Sequence, residues 1–251
     1  MATLNGKVAL VSGGARDIGR AVTLKLASLG ISVAFSYFES KDLGDETLSL
    51  IKKAGGKGAA FSCDVTKEES IRAFVDGAKK SFGGPFQILV NVAGGLVARK
   101  TVAEMDAAFW DQLFAINTRS IFLMTKHTLP HMADGGSIVN FASQAGRDGG
   151  GPGAIAYASS KGAVMTMTRG LAKELGPRKI RVNAVCPGMI STTFHDTFTK
   201  PEVRQRVAAA TPLGREGQAQ EVAELVTFLA SDASSFVNGT CIDVNGGIFF
   251  S

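Results

Sequence analysis

Tyr157 and Lys161 stand four residues apart behind a glycine-rich stretch, Gly149 to Gly153. On a helix that spacing puts a phenol and an ammonium on one face, with Cβ atoms about 5–6 Å apart. A phenol titrates near about 10, too weak an acid to exchange protons at neutral pH. An ammonium about 4 Å away contributes roughly 4 kcal/mol at an effective dielectric of 20, enough to lower that pKa by up to about 3 units. The pair reads as a tuned proton donor or acceptor. Tyr and Lys at this spacing also occur as plain surface decoration, so the pair takes its weight from the residues upstream that complete a site.

The elements that hold these groups alternate. Val8–Val11, Ile31–Phe35, Gly58–Phe61, Ile88–Val90, Ser137–Phe141, Arg181–Val185 and Thr240–Val244 are short apolar runs without polar alternation, as expected of strands covered on both faces. Helical stretches lie between them, with stop signals at Gly30, Gly55, Gly83 and Gly176-Pro177. Such alternation implies parallel strands joined by right-handed crossovers. The expected fold is α/β, a single Rossmann-type doubly wound parallel sheet of about seven strands with helices on both faces, forming one domain over residues 1–251.

Composition narrows the function. The net charge of +5 comes from scattered Lys and Arg with no basic run or aromatic-interleaved stripe, so no nucleic-acid partner is expected. Cys63, Cys186 and Cys241 are odd in number and far apart, and read as buried reduced thiols, which favours the cytoplasm. The first residues lack the basic, apolar and small-residue order of a secretory leader and no apolar run reaches the length of a membrane span, so neither secretion nor insertion is expected. His127 and His131 share a helical spacing that suits a metal, but Pro130 lies between them and a third ligand is not near, so they read as solvated surface histidines and no metal is expected.

In a doubly wound sheet ligands bind beyond the carboxyl ends of the strands. The first such loop runs Ser12-Gly13-Gly14-Ala15-Arg16-Asp17-Ile18-Gly19 straight into a helix. Its glycines let backbone N–H groups approach a pyrophosphate at a helix N-terminus, where the dipole favours an anion.

With these residues placed, the chain resembles the short-chain dehydrogenase/reductase family from Asn5 to Gly247. The motifs occur in family order: the loop Gly13 to Gly19, Asp64-Val65, Asn91-Val92-Ala93-Gly94, Asn117, Ser143, Tyr157 with Lys161, and Pro187-Gly188 followed by Ile190 and Thr192. Within the family it is most similar to 3-oxoacyl-[acyl-carrier-protein] reductases, through Pro212-Leu213-Gly214-Arg215, the helix from Glu221 to Ala230 and Asn245-Gly246-Gly247. The resemblance implies that Tyr157 protonates the substrate carbonyl oxygen as a nicotinamide delivers hydride, with Ser143 bonding the same oxygen. Lys161 lowers the Tyr157 pKa and holds the nicotinamide ribose, and Asn117, interrupting a helical run from about Asp106 to His131, holds a water that links Lys161 to solvent. Implied cofactor contacts are Gly13, Ala15, Arg16, Asp17, Ile18, Gly19, Ser36, Tyr37, Asp64, Val65, Asn91, Ala93, Gly94, Tyr157, Lys161, Pro187, Gly188, Ile190 and Thr192. A homotetramer is the family's usual assembly, and the apolar ending Ile248-Phe249-Phe250 suits a subunit contact.

Charge argues for NADP(H). An NAD site wants a carboxylate at the end of the second strand for the ribose 2′-hydroxyl, and here Ser36-Tyr37 occupy that place. Arg16 is placed to pair with a 2′-phosphate and Tyr37 to pack beside the adenine. Glu39, two residues on, keeps NAD(H) open. Three departures from the family pattern stand out. Asp17 replaces the middle glycine, so a side chain at positive φ meets the pyrophosphate, and its charge must point away or be offset by Arg16. Val92 replaces an asparagine. Ser143 precedes Tyr157 by one residue more than the family spacing, so the loop between them is expected to bulge.

The substrate is a small carbonyl or alcohol, either a 3-oxoacyl thioester or another ketone, sugar or cyclic alcohol. Arg178 falls where carrier-dependent reductases meet acyl-carrier protein, but the second basic cluster is replaced by His131-Met132-Ala133-Asp134-Gly135, which leaves that partner open. Met189 to Thr211 is expected to be a mobile lid whose Met189, Phe194, His195 and Phe198 build an apolar pocket with one polar contact. A non-catalytic NADP-binding sensor is the competing class, disfavoured by the presence of Asn117, Ser143, Tyr157 and Lys161.

Overall fold

The computed structural model describes residues 4–250. One parallel sheet of seven strands runs β3-β2-β1-β4-β5-β6-β7, with β1 (Val8–Ser12), β2 (Ser32–Tyr37), β3 (Lys57–Ser62), β4 (Phe86–Asn91), β5 (Met132–Phe141), β6 (Arg181–Pro187) and β7 (Cys241–Val244). The connections are α1 (Asp17–Ser28), α2 (Lys41–Lys53), α3 (Glu68–Phe82), α4 (Ala107–Phe114), α5 (Ser120–Thr128), α6 (Ala145–Asp148), α7 (Ile155–Leu175), α8 (Thr193–Phe198), α9 (Pro201–Ala210) and α10 (Ala219–Ala230).

The period of two along β1 shows why the apolar runs lack alternation. Ala9 and Val11 pack with Val22 and Leu26 of α1 and Val222, Val226 and Leu229 of α10. Val8 and Leu10 face the other side, packing with Ile71 and Phe74 of α3 and Leu175 of α7. Between β2 and β4, the two neighbours of β1, the chain direction of the crossovers reverses, and a crevice opens at the carboxyl ends of the strands.

Gly30, Gly55 and Gly83 take positive φ after their helices, as the stop signals imply. At the end of α7 the stop differs: Gly176–Arg178 forms a tight turn and the left-handed residue is Lys179, with φ 56°. The long helical run is broken into α4, a π turn over Ala115–Arg119 that contains Asn117, α5 and a short turn at Leu129–His131. β5 begins at Met132, earlier than its apolar core, because Met132 pairs with Phe86 before a register shift that Gly135, at φ 77°, accommodates.

Three expectations need correction. The histidines are half-buried and partnered, His127 Nε2 with Glu68 Oε1 at 2.7 Å and His131 Nδ1 with Lys79 Nζ at 3.2 Å. Cys63 and Cys186 are buried and free, but Cys241 is partly exposed, since β7 is the sheet edge. Arg178 does not face the site. It lies before β6 at the amino end of the sheet and donates to Asp134 Oδ1, the Leu129 carbonyl and the Met132 carbonyl at 2.8, 3.1 and 2.6 Å. No cluster of metal ligands occurs among the described residues, and none of their helices is long and apolar enough to cross a membrane.

Candidate active site

Ser36 at the end of β2 builds the glycine-rich loop: its hydroxyl accepts from Gly13 N at 3.1 Å and its carbonyl from Gly14 N at 2.8 Å. Gly13 has φ 69°, and a Cβ there would lie 3.0 Å from Ala93 Cα. Arg16, the N-cap of α1, makes no side-chain cap bond, so the first-turn amides are left for another acceptor. Asp17 sits at φ 51°, as expected from the missing glycine. Its carboxylate turns to α8, accepting from Thr193 N at 3.0 Å and Thr193 Oγ1 at 2.5 Å, with Arg16 Nε 3.9 Å away.

Beyond β4, a Cβ on Gly94 would lie 2.7 Å from Asn117 Oδ1 and 3.1 Å from Lys161 Nζ. The π turn aims Asn117 at this point, where its amide group bonds both the N–H and the carbonyl of Gly95 at 2.9 Å. Lys161 is buried and donates to the Phe141 carbonyl at 2.7 Å. Burial pulls its pKa down to about 8. Tyr157 lies in the same pocket. Burial pushes its pKa up, and a hydrogen bond with Ser143 works the other way. Lys161 Nζ stands 5.8 Å from the Tyr157 ring centre, where the Phe141 carbonyl holds the ammonium.

The loop between Ser143 and Tyr157 forms α6, then turns through Gly149, Gly150 and Gly153 at positive φ. Asp64 is locked by Thr66, whose N–H and hydroxyl donate to Oδ1 at 3.0 and 2.6 Å; burial opposes its charge, but those bonds outweigh it and the carboxyl stays below its ordinary range.

A cleft of about 910 Å³ runs from Tyr37 along the loop to Tyr157 and under the lid. Every expected cofactor contact except Asn91 lines it, as does Ser143. Asn91 lies beneath the floor, donating to Asn140 Oδ1 at 2.9 Å, and Asn117 stands behind Gly94. The lid supplies Met189, Phe194 and His195, whereas Phe198 packs behind Phe194 at 5.2 Å between ring centres. Burial lowers the His195 pKa. Leu96, Arg99 and Gln144, which no sequence motif marks, also line the cleft, as does Ile248 of the apolar ending. Gln144 is the informative one: its Oε1 is buried without a partner and lies 3.0 Å from a Cβ built on Gly188. The bare main chain at Gly13, Gly94 and Gly188, the uncapped start of α1 and the length of the cleft fit an extended dinucleotide.

Fold and cleft together define a Rossmann-type protein with a Ser–Tyr–Lys–Asn cluster beside its switch point. The sequence profile described as Enoyl-(Acyl carrier protein) reductase matches residues 13–249. The chain is 38% identical over 251 residues to the 3-oxoacyl-[acyl-carrier-protein] reductase FabG of Thermotoga maritima, covering 98% of each. The short-chain dehydrogenase/reductase from Serratia marcescens superposes with a TM-score of 0.93 at 35% identity, covering 98% of this chain and 99% of that one. A blue fluorescent protein from a metagenomic library, solved in complex with NADPH, gives 0.93 at 33% identity, covering 99% and 100%. This chain belongs to the short-chain dehydrogenase/reductase family of oxidoreductases.

Proposed function

We propose that the chain uses NADP(H) to reduce a carbonyl, a 3-oxoacyl thioester or a similar small ketone, to an alcohol. The observation that carries this reading is the meeting of Ser143 and Tyr157 on the cleft wall with Lys161 buried behind them. A nicotinamide dinucleotide in the cleft supplies the hydride, and the chain handles the proton. The Tyr157 phenol, protonated at neutral pH, donates to the carbonyl oxygen as negative charge grows there, and the nearby Lys161 charge offsets the burial that weakens it as an acid. Ser143 steadies that oxygen as negative charge grows on it. Lys161, charged below about 8, stabilises the phenolate that remains, and Asn117 fixes the Gly94–Gly95 main chain against it.

The preference for NADP(H) is supported by Tyr37 at the end of β2, where an NAD site wants a carboxylate, and by the Arg16 guanidinium, 66% exposed at the cleft rim. Glu39 at the same rim is the group through which NAD(H) would bind. A free ketone is the second reading, favoured by the aromatic wall of Tyr157 and Phe194, 5.9 Å apart, and by the engagement of Arg178 within the fold. The free cysteines support a reducing compartment such as the cytoplasm, and Phe250, 83% exposed at the chain's end, supports a homo-oligomer, a tetramer by family likeness.

The test is the initial rate of NADPH and NADH oxidation with a short 3-oxoacyl thioester and with a planar aryl ketone. Faster turnover with NADPH supports the cofactor reading, and the better substrate separates the two carbonyl classes. Equal or higher rates with NADH would overturn the preference, and no turnover with any combination would favour the sensor.

A further inference from the structure

Helix α8 carries Phe194 over Tyr157 but does not cap itself. Thr192 precedes it in extended conformation without a side-chain cap bond, and its hydroxyl donates to the Ile190 carbonyl at 3.1 Å. The cap comes from Asp17, which takes both the N–H and the hydroxyl of Thr193. At the other end the Phe198 carbonyl accepts from Arg99 Nε at 3.0 Å, while Arg99 Nη1 donates to the Pro152 carbonyl at 2.9 Å. A carboxylate thus meets the helix start and a guanidinium its end, the favourable sense of charge at helix termini. Arg204 also ties α8, joining Asp196 to Glu216, but it touches neither the glycine-rich loop nor the loop after β4.

Asp17 is also the first residue of α1, where an anion at the helix N-terminus would sit. Its two hydrogen-bond donors both belong to α8, and Arg16 stands at 3.9 Å. While those donors hold it, the carboxylate is turned from the loop. Once α8 lifts, they leave together and the charge is free to face an anion on the same helix turn.

We propose that Asp17 is a positioning residue that couples the lid helix α8 to the anion site of the glycine-rich loop: closed, Thr193 holds the carboxylate away; open, the freed carboxylate weakens the hold on the dinucleotide pyrophosphate and speeds its release. The coupling rests on the dinucleotide reading above. It makes lid opening and cofactor release a single event, and it gives a reason for a carboxylate in a loop built for anions.

The test measures NADPH dissociation by stopped-flow fluorescence, and hydrogen exchange over residues 193–198 of the ligand-free protein, in wild type, Asp17→Gly and Thr193→Val. Asp17→Gly cuts both bonds of the latch and Thr193→Val only the hydroxyl one, so exchange over α8 speeds up in both, and more in Asp17→Gly. Release moves in opposite directions. Asp17→Gly removes the charge and slows NADPH release about tenfold, equivalent to roughly 1.4 kcal/mol. Thr193→Val keeps the charge and loosens its hold to the main-chain bond alone, and release speeds up, less so at high salt. Release that shifts the same way in both variants assigns Asp17 a bracing role only and overturns the coupling, as does unchanged release in both. Unchanged exchange overturns the latch itself. A wild type that binds no NADPH overturns the coupling along with the cofactor reading, and the exchange measurement still reads the latch without ligand.

Discussion

Lys161 Nζ donates to the Phe141 carbonyl at 2.7 Å, so the last residue of β5, and not the Tyr157 phenol, holds the ammonium in place. The two side chains share a wall through helical spacing, yet their charges are coupled only through the 5.8 Å between Nζ and the ring centre. This division of labour sets the pH behaviour.

The buried Lys161 titrates at about 8 against an ordinary 10.5. Reduction should be flat near neutral pH and fall as pH rises through about 8, because the phenolate left on Tyr157 loses its counter-charge. The pH profile of kcat/KM checks this, and Lys161→Arg should move the alkaline limb upward. Stability carries the opposite sign. Between about 8 and 10.5 the native lysine is neutral and the unfolded one still binds a proton, so stability rises with pH across that window. At neutral pH the fold bears the cost of the buried charge. Lys161→Met should therefore be more stable than wild type at pH 7 by up to about 3 kcal/mol in denaturant titrations, the gap closing toward pH 10.5.

Tyr157→Phe removes the proton donor and little else, since the ring still packs against Phe194. Turnover should drop by about 10²–10⁴, the range for a lost general acid, with NADPH affinity unchanged by fluorescence titration. Turnover within a few-fold of wild type would take the proton-donor role away from Tyr157.

Gly94→Ala places a methyl 2.7 Å from Asn117 Oδ1 and 3.1 Å from Lys161 Nζ. Neither neighbour can yield freely, as Asn117 is tied to Gly95 and Lys161 to Phe141. The variant should lose about 1–3 kcal/mol of stability, as overpacked sites do, and should bind NADPH more weakly. Thermal melting and fluorescence titration measure the two effects, and a fully active, equally stable variant would show that the cradle tolerates a side chain.

The sheet was legible because each strand is a short apolar run bounded by glycine or a helix signal, and burial on both faces erases polar alternation. The cleft was legible for the same reason, its loops following directly from strand ends at the switch point. Asn117 stood out as a polar residue in an apolar helical run, and the π turn accounts for it. The clasp on α8 was hidden: Asp17 and Thr193 are separated by 176 positions and Arg99 and Phe198 by 99, with no local pattern to join them. The Phe141 carbonyl was hidden too, because a main-chain acceptor carries no mark in sequence.

Arg178 gives the sharpest contrast between a position and its surroundings. By sequence it suits an acidic carrier, yet its guanidinium closes the turn from α5 into β5, two of its three bonds going to main-chain carbonyls. The pair with Asp134 is largely solvated and contributes little. The bonds to the Leu129 and Met132 carbonyls are charge-assisted, each of a kind that contributes about 1.5–3 kcal/mol when buried and less here, where the side chain is 37% exposed. Arg178→Ala should lower stability by about 1–3 kcal/mol in denaturant titrations and leave KM unchanged within about twofold for a carrier-bound and a coenzyme A-bound 3-oxoacyl thioester alike. A rise in KM confined to the carrier-bound substrate would return Arg178 to the role its position suggested.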